Sequence, residues 1–143
     1  MPQSKRQEHL TPDRVFELIF EKWNLPKSCF FDPVPKGTPF KSPCFFNGLN
    51  GIWKKYNFIN PPFAKEILET FVLKALREAK KGKTSIMLLP SKTDQAWFHD
   101  IILFYEFEIL WIRKRLKFKN NEHHSTDTHF LVNLNLNKQN FCK

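Results

Sequence analysis

Glycine is scarce, with four in 143 residues, and no glycine-rich loop of the kind that cradles phosphates can be drawn from Gly37, Gly48, Gly51 and Gly82. Cysteine is equally sparse. Cys29, Cys44 and Cys142 are odd in number and lack Cys-x-x-Cys spacing, which excludes a disulfide framework and a thiolate zinc site and fits a reducing, intracellular setting. No apolar run reaches the length needed to span a membrane, and the polar stretch Met1 to His9 carries no export signal. Internal repeats are absent. Acidic residues are in deficit, 14 against 23 Lys and Arg, so the formal charge is +9 and a polyanionic partner is favoured.

What the chain has in quantity is aromatic side chains: 16 phenylalanines and four tryptophans, enough for the packed core of one domain. That domain is expected over residues 10–136, between flexible ends at 1–9 and 137–143. At this length no separate module for reading nucleic acid fits beside it.

The most informative stretch is Tyr56-Asn57-Phe58-Ile59-Asn60-Pro61-Pro62-Phe63. It reads as a buried strand brought to a stop. Proline cannot donate to a ladder and keeps the preceding residue extended, so the loop presents the Asn60 amide, the Pro61 carbonyl and the Phe63 ring together. Strand carboxyl ends are where open α/β sheets bind ligands. An exocyclic amino group on a base is a poor nucleophile because its lone pair is delocalised into the ring. Two acceptors, the Asn60 oxygen and the Pro61 carbonyl, would stabilise charge developing on that nitrogen and aim its lone pair, while Phe63 stacks on a base taken out of the duplex.

Around this strand the pattern alternates between helix and strand. Thr11-Pro12-Asp13 predicts a helix start with Thr11 as N-cap, and Val15, Phe16, Leu18, Ile19 and Trp23 supply its apolar stripe up to Asn24. Cys29 to Asp32 reads as a short strand closed by Pro33. Ile67 to Ala79 is an amphipathic helix with Gly82 at its C-terminal cap, and Thr84 to Leu89 a strand buried on both faces, giving a βαβ unit. A helix from Gln95 to about Tyr105 is expected next, with Trp97, Ile101, Ile102 and Phe104 inward. Phe107 to Ile112 then reads as a strand running into an edge strand, Arg113 to Lys119, with one basic face. His129 to Leu136 reads as a half-exposed edge strand. Arg113, Lys114, Arg115, Lys117 and Lys119 would form a row facing a phosphate backbone. His99 lacks the setting of a general base. His123, His124 and His129 fall short of four convergent ligands, so no metal is expected.

In order, Thr11-Pro12, Phe31-Asp32-Pro33, Phe46-Asn47-Gly48-Leu49 with Trp53, Asn60-Pro61-Pro62-Phe63, Leu88-Leu89-Pro90 with Thr93 and Trp97-Phe98-His99, and Arg115-Leu116-Lys117-Phe118 resemble the small phage-type DNA adenine-N6 methyltransferase family over roughly residues 10–136. The resemblance implies a reduced Rossmann-like fold, a mixed, mostly parallel sheet with flanking helices. It implies S-adenosylmethionine as cofactor, held by Asp32, Pro33, Phe46 and Asn47. Asn60, Pro61, Pro62 and Phe63 would be the catalytic set, acting on a flipped adenine in DNA, with Lys92, Arg113, Arg115 and Lys117 on the nucleic acid. Asp32 reads equally as the start of an Asp-Pro turn. Val34-Pro35 and Asn47 depart from the family pattern at the cofactor edge, and Lys92 stands where relatives have arginine. Cytosine N4 as target, or an inactive relative that binds DNA or a partner, are the alternatives. A homodimer or a partner subunit is left open.

Overall fold

The computed structural model describes residues 11–25, 30–32, 49, 51–62, 65–119 and 123–136. The expected termini 1–9 and 137–143, and the loop and apolar patch from Pro33 to Phe46, lie outside the described residues. Helix α1 spans Asp13–Trp23, β1 Phe30–Phe31, β2 Tyr56–Ile59, α2 Lys65–Lys80, β3 Thr84–Pro90, β4 Glu108–Trp111 and β5 His129–Leu134. A π-helix occupies Phe98–Leu103 where the sequence predicts an α-helix from Gln95 to Tyr105. Its wider turn leaves Phe104, expected inward, 72% exposed, and buries Phe98 instead.

The strands form one sheet in the order β1-β2-β3-β5-β4. β1, β2 and β3 pair in parallel, whereas β5 runs antiparallel to both β3 and β4. Two of the four pairings are therefore antiparallel, so the sheet is mixed as expected but not mostly parallel. The same insertion corrects the reading of β5 as a half-exposed edge. All six of its residues are buried, because strands flank it and apolar layers cover both faces. Its alternation separates two cores instead of core from water: Phe130, Val132 and Leu134 face the layer of α2 and the π-helix, and Leu131 that of α1. β4 is the true edge.

The basic run after β4 is not a strand. Lys114 adopts a left-handed φ of 65°, which turns the chain out of the ladder. Its alternation survives for another reason: Leu116 and Phe118 are buried in the α1 layer, so Arg115, Lys117 and Lys119 are left facing water. α1 begins with Pro12, not Thr11, in the N-cap position, and ends at Asn24 in the left-handed region. α2 closes with a Schellman pattern, Gly82 N–H donating to the Ala79 carbonyl at 3.0 Å and Lys83 N–H to Glu78 at 3.1 Å, with Gly82 at a φ of 91° that only glycine adopts cheaply. No described helix is long and apolar enough to cross a membrane.

At the amino edge of the sheet, Glu78 is 1% exposed and is met by Lys74 at 2.9 Å, Lys83 at 2.9 Å and Lys81 at 3.3 Å. Lys83 also donates to the Trp53 carbonyl at 2.7 Å, pinning the segment that enters β2. Burial alone would raise the carboxyl. Hydrogen bonds from Lys74 and Lys83, the Lys74 charge and a hydrogen bond from Lys81 outweigh it and lower the pKa to about 2. The folded value lies below the ordinary one of 4.5, so this stabilisation is present above pH 4.5 and is lost as pH falls toward 2. Glu78→Gln is expected to lose roughly 3 kcal/mol at pH 7. Urea unfolding of both proteins should show that gap narrowing steadily between pH 5 and pH 2.

Candidate active site and nucleic-acid interface

β4, like β1 to β3, opposes β5, so four strands deliver their carboxyl ends to one edge of the sheet. Asp32 follows β1, Asn60-Pro61-Pro62 follow β2, Ser91-Lys92 follow β3 and Arg113 to Lys119 follow β4. The sequence-predicted residues within the described parts thus share one rim. Phe63, Pro33, Phe46 and Asn47 lie outside the described residues.

Strand parity decides which way Asn60 points. Phe58 packs in the α1 layer and Ile59 in the α2 layer, so Asn60 turns toward α1. Its side-chain nitrogen donates to the Thr11 hydroxyl at 2.8 Å, in a buried contact between residues 49 apart. Thr11, expected to cap its helix, instead orients this amide. With nitrogen turned to Thr11, the other end of the amide is an acceptor. No sequence signal distinguishes this role, because Thr-Pro-Asp reads equally well as a cap.

Asp32 is 1% exposed. The register Phe31↔Asn57 places it level with Phe58 on the neighbouring strand, about 4.8 Å away across the ladder and two residues short of Asn60. Asn57, also buried, ties the strand entry together: its oxygen accepts from Lys54 N–H at 2.9 Å, and its nitrogen donates to the Lys54 carbonyl at 2.9 Å and the Thr84 carbonyl at 3.2 Å.

Lys92 forms an exposed ion pair with Asp127 at 3.4 Å, which partly cancels its charge. The pair borders a cavity of about 260 Å³ whose apolar walls are Leu68, Pro90 and Trp97. Leu68 and Trp97 belong to the α2 layer, so this cavity and the Asn60 amide lie on different faces. Arg113, Arg115 and Lys117 are exposed at the far end of the rim, and no carboxylate among the described residues pairs with them. Lys119 is paired, to Asp13 at 2.7 Å. His129 is fully buried with its ring edge-on to Phe118, apart from the exposed His123 and His124. Among the described residues no cluster of His, Cys, Asp or Glu could hold a metal ion.

Fold and rim together define an α/β protein with a polar amide, a buried carboxylate and cations unpaired among the described residues along one carboxyl edge. The chain belongs to the DNA N-6-adenine-methyltransferase (Dam) family, whose model matches residues 1–135. No curated protein and no solved structure matches it significantly.

The Thr11 contact yields a direct test. Thr11→Val keeps the shape but removes the acceptor of a buried N–H, and is expected to cost about 1–3 kcal/mol in chemical denaturation. Thr11→Ser, which keeps the hydroxyl, should stay within about 1 kcal/mol of wild type.

Proposed function

We propose that this chain is an S-adenosylmethionine-dependent enzyme that methylates the N6 amino group of adenine in DNA, on a reduced Rossmann-like sheet. The observation that carries the reading is the Asn60 amide, held by Thr11 at the carboxyl end of β2, directly before two prolines. An amide fixed before substrate arrives needs no reorganisation when charge develops on the reacting nitrogen. The Asn60 oxygen and the Pro61 carbonyl each accept an amino hydrogen, which localises the lone pair. Phe63 stacks on the extruded base. Once nitrogen is alkylated its extra proton is strongly acidic, so it leaves to the same acceptors or to water without a dedicated base.

The residues of the neighbouring strand suit the cofactor. Asp32 brings a carboxylate to the β1 end, one strand from Asn60, suited to an ammonium group, with Pro33, Phe46 and Asn47 following in sequence. S-adenosylmethionine, when bound, supplies a methyl group on a positively charged sulfur that departs as a neutral thioether. Lys92, Arg113, Arg115 and Lys117 hold DNA phosphates, fixing register without reading bases.

Cytosine N4 offers the same amino group to the same acceptors. A second reading, a DNA-binding relative without turnover, draws on the near-complete burial of Asp32 and on Asn47 where relatives carry Asp. Calorimetry with S-adenosylmethionine separates that reading from the enzyme. Mass spectrometry of nucleosides from DNA incubated with protein and cofactor should show N6-methyladenine and no N4-methylcytosine. Asn60→Ala should reduce turnover by roughly 10²–10³-fold with cofactor affinity retained. Undiminished methylation by that variant would remove Asn60 from the mechanism.

A further inference from the structure

On the α1 side of the rim lies an open groove of about 680 Å³ lined by Arg14, Lys114, Arg115 and His124. No carboxylate among the described residues lines it. Three segments distant in sequence contribute: the first turn of α1, the turn after β4 and the loop entering β5. Each is braced. Arg14 Nη2 donates to the Arg113 carbonyl at 3.4 Å, Asp13 pairs with Lys119 at 2.7 Å, and Ser125 N–H donates to the Leu116 carbonyl at 2.7 Å, fixing the segment that carries His124. Beneath them Leu116 and Phe118 are buried. The left-handed backbone at Lys114 lets two consecutive cations, Lys114 and Arg115, line the same groove, which a regular strand would send to opposite sides.

We propose that this groove seats the DNA backbone a few nucleotides from the target base, with the first turn of α1 as the spacer between chemistry and grip. The inference rests on the methyltransferase reading and deepens it. Gathering like charges without a counter-charge is unfavourable in the free protein, and an anion reverses the sign of that effect. The ligand is extended, because the groove is open and broad rather than a closed cup for one ion. Its relation to Asn60 follows from the fold. Thr11 orients Asn60, and Arg14 stands three residues later, in the first turn of α1. Across the sheet, β4 is three strands from β2, roughly 14 Å. At about 3.4 Å of rise per nucleotide, that spans several phosphates of one strand.

The test measures DNA affinity against salt for the whole chain, using a duplex of mixed sequence and fluorescence anisotropy. Arg14→Gln and Lys114→Asn are the variants; asparagine tolerates the left-handed backbone, and Lys114 makes no described hydrogen bond whose loss would unfold the site. Lys55→Gln, at the opposite edge before β2, is the control for net charge. Each groove variant should flatten the slope of log affinity against log salt by about 0.9, the double variant by about twice that, while Lys55→Gln leaves it unchanged. Methyl transfer at saturating DNA should keep its kcat and show a raised KM. A wild-type slope in a double variant that melts normally overturns the groove, as does equal flattening by Lys55→Gln. In either case methylation by wild-type protein would leave the enzymatic reading standing, whereas wild-type protein that neither binds nor methylates DNA removes both.

Discussion

The constraint on which the structure depends is the double-sided burial of β3. Every residue from Thr84 to Pro90 is buried, so each face must be covered and each edge paired. β2 satisfies one edge in parallel and β5 the other in antiparallel. α2 and the π-helix cover one face, and α1 the other. The position of Asn60 follows from this packing. Once Ile59 is in register with Met87, the next residue of β2 is carried to the rim, and parity turns it toward α1.

The lysines of this basic chain divide by what they meet. At the amino edge three of them converge on one buried carboxylate, and the result is an anchor: charge is compensated, Trp53 is held, and the entry to β2 is fixed. At the carboxyl edge the cations from Arg113 to Lys117 are exposed and unpaired among the described residues. They are positioned by the apolar side chains between them. Leu116 and Phe118 anchor that run as firmly as a ladder would. A formal charge of +9 therefore says less than its distribution, since only the uncompensated part is available to a polyanion.

The sequence revealed most where a residue's local chemistry allowed one outcome. Pro61 and Pro62 stop β2, Gly82 closes α2, and the 3.6-residue repeat from Leu68 to Ala79 faces the core. It misled where one pattern serves two environments. The alternation in His129 to Leu134 is the same whether the second face meets water or a second apolar layer, and only the insertion of β5 between β3 and β4 decides. The alternation from Arg115 to Lys119 suggested a strand, but it arises from two aromatic and aliphatic anchors in irregular backbone. The contacts of Thr11 with Asn60 and of Arg14 with Arg113 are not legible in the sequence, because the partners are 49 and 99 residues apart. Contacts at that separation leave no local trace in a single sequence.

Parity also separates two surfaces that size and polarity alone would confuse. The cavity beside Lys92 has apolar walls and lies at the rim, as a small-ligand site should, but its walls belong to the α2 layer. Asn60 faces α1, as do the residues beneath the basic groove. Under the proposed function, an amino group engaged by Asn60 would approach from the side that carries Arg14 and Arg115, and the strand bearing it would run across cations and not across the apolar cavity. The exposed Lys92–Asp127 pair reinforces the distinction, because Asp127 partly cancels the Lys92 charge there, whereas Arg115 has no such partner among the described residues. In the proposed enzyme, grip and chemistry would thus fall on one face of the sheet, joined by the start of α1.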